Sequence, residues 1–308
     1  MPPVLTLTLN PAVDESTSVE RVIPERKLRC GPTRYEPGGG GINVSRVLRR
    51  LGCDAPAIYP AGGPAGQLLA RLLDEEGVSH RLVPIEAWTR ENFNVLEGAS
   101  GQQFRFCLPG PALSEEDVER CVRAVQDTRP RPEFVVASGS LPPGVAPDFY
   151  ARLARLVRDS GARFVLDASG EALRLAVDAG VSVLKPSLRE FQGLTASAGA
   201  DEAGLIEAGR ALVRRARCEL LVVSLGSGGA LWVSPAGEGR IAAPAVPVAS
   251  GVGAGDSMVA GILCRLLQGA GPEVAARYGV AAASASVMNP GTALCGAADV
   301  ERVFAEMR

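Results

Sequence analysis

Six short runs of apolar and β-branched residues punctuate the chain: "VLTLTL" (4–9), "APAIYP" (55–60), "EFVVAS" (133–138), "RFVLDAS" (163–169), "VSVLKPS" (181–187) and "ELLVVSL" (219–225). Most are separated by stretches of helical periodicity. In "GINVSRVLRRLG", Ile42, Val44, Val47, Leu48 and Leu51 recur near helical spacing and Gly52 supplies a stop; "AGQLLARLLDEEG" is stopped by Gly77. Further helices are expected near 114–127, 147–160, 187–194, 201–216, 254–268 and 272–288, and strands at "ALWV" and "GRIAAPAV" after the turn "GSGG". Strands alternating with helices predict a mostly parallel sheet covered on both faces. Segments 11–37 and 88–109 break the alternation, being β-rich and without a helix, and are expected to pair as a small separate sheet. Ligands of such folds bind outside the carboxyl ends of the strands. The loops carrying Asp14, Gly38–Asn43, Ser140, Asp167, Lys185 and Gly253–Asp256 all follow strands, so they are expected to converge at one end.

The bulk composition excludes several classes. A chain of 308 residues can bury a sizeable core. A formal net charge of −2 gives no basic field for nucleic acid or an anionic membrane. No apolar stretch approaches membrane-spanning length, and "MPPVLTLTLNPAVD" lacks the basic start of a signal peptide, so a cytoplasmic protein is expected. The seven cysteines are scattered, odd in number and never C-x-x-C, which argues for reduced, mostly buried thiols. The single histidine, His80, lies at a helix-to-strand junction and reads as a surface residue, so any general base here is expected to be a carboxylate. Of the 32 basic residues only Lys27 and Lys185 are lysines, which marks both as positions for a compact ammonium.

Two glycine-rich stretches each run into a helix. Neither "GGGGIN" nor "GVGAGD" completes G-x-G-x-x-G, and no G-x-x-x-x-G-K-[ST] is present, so dinucleotide and P-loop readings fail. A Gly-rich strand-to-helix turn lets ligand oxygens approach the backbone, and Asn43 lies in the first turn of the helix that follows "GGGG". In "SGVGAGDSMVAG" (250–261), Asp256 admits two readings. It is either a helix cap, or a general base beside a nest in which the N–H groups of Gly253, Ala254 and Gly255 hold a phosphate.

Read together, "PGGGGINVSRVLRRLG" and "VGAGDSMVAG" resemble the two signatures of the ribokinase-like (PfkB) carbohydrate kinases. "TLTLNPAVD", "PERKLRCGPTRYEPGGGGINV", "YPAGGPAG", "WTREN", "SGSLPPGV", "DASGEAL", "VVSLGSGGAL" and "NPGTALC" extend the resemblance over essentially the whole chain. Members acting on fructose 1-phosphate or tagatose 6-phosphate often carry lysine in the glycine run; here it is all glycine, which favours fructose 6-phosphate.

The resemblance implies a three-layer α/β/α sandwich with a mostly parallel central sheet and a small β-sheet lid. The core would take 1–10, 38–87 and 110–308, and the lid 11–37 and 88–109. It implies ATP-dependent phosphorylation at the sugar C1 hydroxyl, with Mg²⁺, in a homodimer joined through the lid. Asp256 would be the base, and the Gly253, Ala254 and Gly255 amides the anion cradle. Asp14, Gly39, Gly40 and Asn43 would hold sugar hydroxyls, and Lys27, Arg29, Arg90 and Arg105 the sugar phosphate, with Ser140 beside them. Lys185, Ser187, Ser224, Gly226, Ser227, Gly228 and Gly229 would bind ATP, and Glu190 would order water around Mg²⁺. A potassium ion would sit among Ser250, Val252, Ser286, Asn289, Gly291 and Ala293. One departure stands out: the family's N-x-x-E reads "SLRE" here, with Ser187 in place of asparagine, which is expected to weaken MgATP binding. Rival readings are kinases of tagatose 6-phosphate or fructose 1-phosphate and, in a different class, a non-catalytic sugar-phosphate sensor.

Overall fold

In the computed structural model, which describes residues 3–307, the chain opens with β1 (Val4–Leu7), β2 (Ala12–Val19), β3 (Arg34–Gly38), α1 (Gly40–Arg50), β4 (Ala57–Ala61), α2 (Gly63–Glu75) and β5 (His80–Pro84). Then follow β6 (Arg90–Glu97), β7 (Gln103–Phe106), α3 (Glu115–Gln126), β8 (Phe134–Ser138), α4 (Phe149–Asp159), β9 (Arg163–Asp167), α5 (Gly170–Ala179) and β10 (Val183–Leu184). The last third comprises α6 (Leu188–Thr195), α7 (Glu202–Ala216), β11 (Leu220–Ser224), β12 (Ala230–Ser234), β13 (Gly237–Ile241), α8 (Ala254–Leu267), α9 (Pro272–Val287) and α10 (Ala297–Glu306). Met1, Pro2 and Arg308, part of the expected core, lie outside the described residues.

The main sheet has nine strands in the order β13-β12-β11-β10-β9-β8-β1-β4-β5. All neighbours are parallel except β11–β12 and β12–β13. Its central strands are buried on both faces because side chains alternate between two cores, while the edge strands β5 and β13 are partly exposed. Leu5, Leu7, Val135, Ala137, Phe164 and Leu166 pack under α3, α4, α5 and α7. Val4, Phe134, Val136, Val165, Leu220 and Val222 pack on the other side against α1, α8, α9 and α10. The structure is therefore an α/β sandwich with a mostly parallel sheet.

The two interrupting segments form a second sheet, in the order β3-β2-β6-β7. β2 and β6 run parallel in register from Ala12↔Arg90 to Val19↔Glu97, with β3 and β7 antiparallel at the edges. Tyr35, Glu15, Phe93 and Phe106 make one cross-strand row, in which all three aromatics are exposed. The alternate positions, with Asp14, Asn92, Asn94 and Arg105, are polar.

Boundaries depart from the sequence reading in physical ways. β1 ends at Leu7 rather than Leu9, and β2 begins at Ala12, immediately after Pro11, and is joined to β3 by a long loop. The strand expected across 239–246 stops at Ile241, ahead of Pro244 and Pro247, which have no N–H for a ladder. The C-terminal helix α10 is not anticipated at all; its buried Val300 and Val303 sit three apart, a stripe too short to register. His80 is not a free surface residue. Its side chain is only 13% accessible, with Nδ1 2.9 Å from the Tyr59 hydroxyl and Nε2 3.1 Å from Asp74.

Candidate active site

The carboxyl ends of β1, β8, β9, β10 and β11 meet the starts of α1 and α8. At α1 the N-cap is Gly39, and the Ile42 amide donates to Thr8 Oγ1 at 2.9 Å, tying the helix start to the end of β1. Gly40 is required by close approach: a Cβ there would stand 2.2 Å from Ser138 Oγ, at the end of β8. The glycine run thus brings Asn43, in the first turn of α1, to the end of the neighbouring strand.

At α8 the N-cap is Gly253, in the left-handed region at φ 74°, and no side chain caps the helix. The first helical bond runs from Ser257 N to Gly253 O at 2.9 Å. The amides of Ala254, Gly255 and Asp256 therefore lack the preceding-turn carbonyl that helical amides use, and they face the positive end of the helix dipole. The capping reading of Asp256 fails on geometry. Its carboxylate turns away from the helix end to accept from Asn43 Nδ2 at 2.9 Å and from Ser138 Oγ at 3.3 Å.

Enclosure among protein atoms raises the Asp256 pKa to about 7, helped by the nearby Asp167 carboxylate; the hydrogen bond from Asn43, the Lys185 charge and the hydrogen bond from Ser138 oppose the rise. Lys185, whose side chain is 6% accessible, places Nζ 3.2 Å from Asp167 Oδ2. Burial disfavours its charge, but Asp167, Asp256 and Glu190 together hold its pKa above the ordinary lysine value. A Cβ on Gly255 would lie 3.4 Å from that ammonium, so Lys185 sits under the first turn of α8. Its partner Asp167 has a raised pKa because burial outweighs the lysine.

The small sheet supplies a second group. Asp14 is buried and accepts from Asn92 Nδ2 at 2.8 Å; burial raises its pKa against the pull of Asn92, Arg90, Arg105 and Arg46. Arg90 is fixed by backbone carbonyls: Nη2 donates to Asn10 O at 2.8 Å and Nη1 to Leu108 O at 2.9 Å. Asn10 Nδ2 in turn donates to Ser140 Oγ at 3.0 Å. Asn10, Arg90, Ser140 and Glu171 line a cavity of about 740 Å³, roofed by the "LPPG" loop. Lys27 and Arg29 stand on the exposed loop between β2 and β3 and do not line it.

The expected nucleotide positions form a separate shelf. Ser187 is the N-cap of α6, and with Glu190 it closes a capping box. The Ser187 amide and hydroxyl donate to Glu190 Oε2 at 2.7 and 2.8 Å. Ser224 lies beside it, its amide donating to Pro186 O at 2.9 Å, followed by the exposed turn of Gly226, Ser227 and Gly228 and by Gly229. Behind α8, the loops at 249–253 and 287–295 touch. Ser250 Oγ donates to Gly291 O at 2.6 Å, the Val252 amide to Ser250 Oγ at 3.2 Å, and Ser286 Oγ is 2.8 Å from Ser257 Oγ. The Asn289 amide donates to Ser286 O at 3.0 Å and the Ala293 amide to Pro290 O at 3.3 Å. Among the described residues no cluster of three or more His, Cys, Asp or Glu side chains is assembled that would hold a metal by protein ligands alone.

Sequence reasoning missed Ser138, whose only signal was a polar residue closing an apolar strand. It also missed Arg46, which is 1% exposed and donates through Nη1 to Asn43 Oδ1 at 3.2 Å.

Residues 7–298 match the model of the pfkB family carbohydrate kinases. The chain is 46% identical to an ATP-dependent 6-phosphofructokinase isozyme 2 of Mycobacterium tuberculosis, over 98% of this chain and 89% of that protein. Solved structures of phosphofructokinase-2 from Escherichia coli, one in complex with fructose-6-phosphate and one with potassium, superpose with a TM-score of 0.94. They are 38% and 39% identical, and each match covers at least 99% of both chains. A 1-phosphofructokinase of Rhodobacter capsulatus is more distant, at 33% identity over 84% of this chain and 82% of its own.

Proposed function

The chain belongs to the pfkB family of carbohydrate kinases, and from that premise we propose that it transfers the γ-phosphoryl group of MgATP to the C1 hydroxyl of fructose 6-phosphate, giving fructose 1,6-bisphosphate and ADP. The observation that carries this is the pairing of one carboxylate, Asp256, with an uncapped helix start. A base and a set of free amides then stand on a single turn, as phosphoryl transfer requires, since its barrier is lowered by positioning and charge stabilisation.

Asp256 takes the proton of the C1 hydroxyl as that oxygen attacks the γ-phosphorus, and the bond to the ADP oxygen breaks. A base titrating near 7 is matched to neutral pH. The free amides of Ala254, Gly255 and Asp256, together with that of the N-cap Gly253, meet the charge spread over the transferred phosphoryl oxygens, with the Lys185 ammonium beneath them. Asp14, Gly39, Gly40 and Asn43 hold the sugar hydroxyls. Arg90, held by backbone carbonyls, presents its remaining N–H groups to the 6-phosphate with Ser140 and Arg105, whereas Lys27 and Arg29, on the exposed loop between β2 and β3, do not line its cavity. Lys185, Ser187, Ser224 and Gly226–Gly229 cradle the nucleotide.

Mg²⁺ keeps several of its own waters and is shared with phosphate oxygens, which suits a site offering one carboxylate, Glu190, rather than a protein cage. Bound there, it would neutralise charge on the ATP phosphates. The donors of Ser250, Val252, Ser286, Asn289, Gly291 and Ala293 are uncharged oxygens, which suit potassium behind the anion cradle. The small sheet (11–37 and 88–109) acts as the lid, and its exposed row of Tyr35, Phe93 and Phe106 favours a homodimer that covers it. No helix of the described residues is long and apolar enough to cross a membrane, and the cysteines are free thiols, in keeping with work in the cytoplasm.

The test is a coupled ADP-release assay over fructose 6-phosphate, fructose 1-phosphate, tagatose 6-phosphate and free fructose. The highest kcat/KM with fructose 6-phosphate is expected. Preference for either of the other phosphates would move the chain to another branch of the family, and no turnover of any would leave a sugar-phosphate sensor.

A further inference from the structure

Arg46 is a buried cation in the middle of α1, and its five N–H groups point into the protein. Nε and Nη2 grip the Glu76 carboxylate, Nε at 2.9 and 3.1 Å and Nη2 at 2.5 Å. Nη1 donates to Pro37 O at 2.9 Å and to Asn43 Oδ1 at 3.2 Å. Asn43 in turn donates through Nδ2 to Asp256 Oδ2 at 2.9 Å. A primary amide has one acceptor end and one donor end, and an arginine has only donors. The guanidinium therefore dictates which way the amide lies: its oxygen must face Arg46, so its N–H must face Asp256. Without the guanidinium the amide could turn over and set its oxygen lone pairs against the carboxylate. The ion pair with Glu76 holds the guanidinium in that pose, and Arg50, which reaches Glu76 Oε2 at 3.4 Å, braces the carboxylate.

We infer that Arg46 is a positioning residue for phosphoryl transfer, one that fixes the Asn43 amide so that it supports the ionised form of Asp256. This rests on the reading of Asp256 as the base. A sequence pattern hides the role, because an arginine on an amphipathic helix reads as solvated.

Several charges face the two ends of this chain. Around Asp256 they are Asp167 at the end of β9 and Lys185 after β10. Around Arg46 they are Glu76 from the end of α2, Glu36 from β3 at 3.7 Å and, through its field, Asp14 from β2. All of these stay in place when Arg46 alone is changed, so a shift in the titration of activity isolates its effect.

Three variants test the inference: Arg46→Met, Arg46→Met with Glu76→Leu, and Arg46→Lys. The double variant removes the buried cation and its counter-charge together, which avoids a stranded carboxylate. In both methionine variants kcat/KM for fructose 6-phosphate should fall about tenfold at pH 7. The acid limb of its pH profile should move up by about one unit, because the carboxylate of Asp256 loses a hydrogen-bond donor. KM for MgATP should stay within about twofold. The double variant should recover thermal stability without recovering activity, and Arg46→Lys, which keeps a donor, should return the acid limb to its native position. A double variant with native melting, native turnover and an unmoved acid limb would overturn the inference, as would a lysine variant shifted as far as methionine. Asp256→Asn separates the failures. If that variant keeps turnover, the base assignment itself is wrong; if it is inactive while the double variant is native-like, only the role of Arg46 is.

Discussion

Ser187 Oγ lies 2.8 Å from Glu190 Oε2 and accepts from the Glu190 amide at 3.3 Å, so the two residues close on each other at the start of α6. The sequence alone suggested that serine, shorter than the family's asparagine, leaves a gap at the nucleotide. In the structure the side chain caps α6 and tethers the carboxylate expected to order water around Mg²⁺, a task that serine performs at its own length while remaining beside the nucleotide shelf. Asparagine and serine cap equally well. Ser187→Asn should therefore leave KM for MgATP within about threefold and stability within about 0.5 kcal/mol. Ser187→Ala should cost about 0.5–2 kcal/mol in urea unfolding. A tenfold drop in KM for MgATP in the asparagine variant would show that the longer arm reaches the nucleotide after all.

Arg90 should discriminate substrates by charge. Burial lowers its pKa against the opposing pull of Asp14 and Cys107, and the carbonyls of Asn10 and Leu108 hold its fork. A hydrogen bond to a charged group contributes roughly 1.5–3 kcal/mol, so Arg90→Ala should raise KM for fructose 6-phosphate about 10–100-fold. KM for MgATP should change far less. Free fructose should be a poor substrate of the native enzyme for the same reason, and steady-state kinetics on both sugars reads the two effects.

The architecture was legible in the sequence because both its periods, two and about 3.6, are written in apolar residues. Convergence of Asn43, Asp167, Lys185 and Asp256 at one end followed from their placement at or after the ends of strands, whereas Asp14, expected on a loop, lies inside β2 of the small sheet, paired with Asn92 on β6. What stayed hidden depended on partners far away in the chain. Arg46 meets Glu76 thirty residues on, and Ser138 meets Asp256 across more than a hundred. His80 looked like a surface residue because Tyr59 and Asp74, which hold it, are neighbours only after folding.

Stability should run against activity at Asp256. Enclosure among protein groups pushes the carboxyl up to about 7 in the folded chain, from an ordinary value of 3.8. Between those values the folded state binds the extra proton, so this group's contribution is present below the unfolded value and is lost as pH rises through the folded one. Asp256→Asn, which cannot ionise, should therefore melt above the native chain at pH 8, with the gap narrowing on acidification to pH 5. Melting curves across that range test it. A variant less stable than the native chain at pH 8 would show that the ionised carboxylate is a net stabiliser.

Catalysis by the same residue is the most direct test of the whole account. Asp256→Asn keeps the shape of the side chain and leaves the α8 start uncapped, as it is in the native chain, but it removes the proton acceptor. Its kcat with fructose 6-phosphate and saturating MgATP, measured by ADP release at pH 8, should fall by roughly 10²–10⁴ while circular dichroism stays native. Turnover within a few-fold of the native enzyme would contradict the assignment of Asp256 as the base.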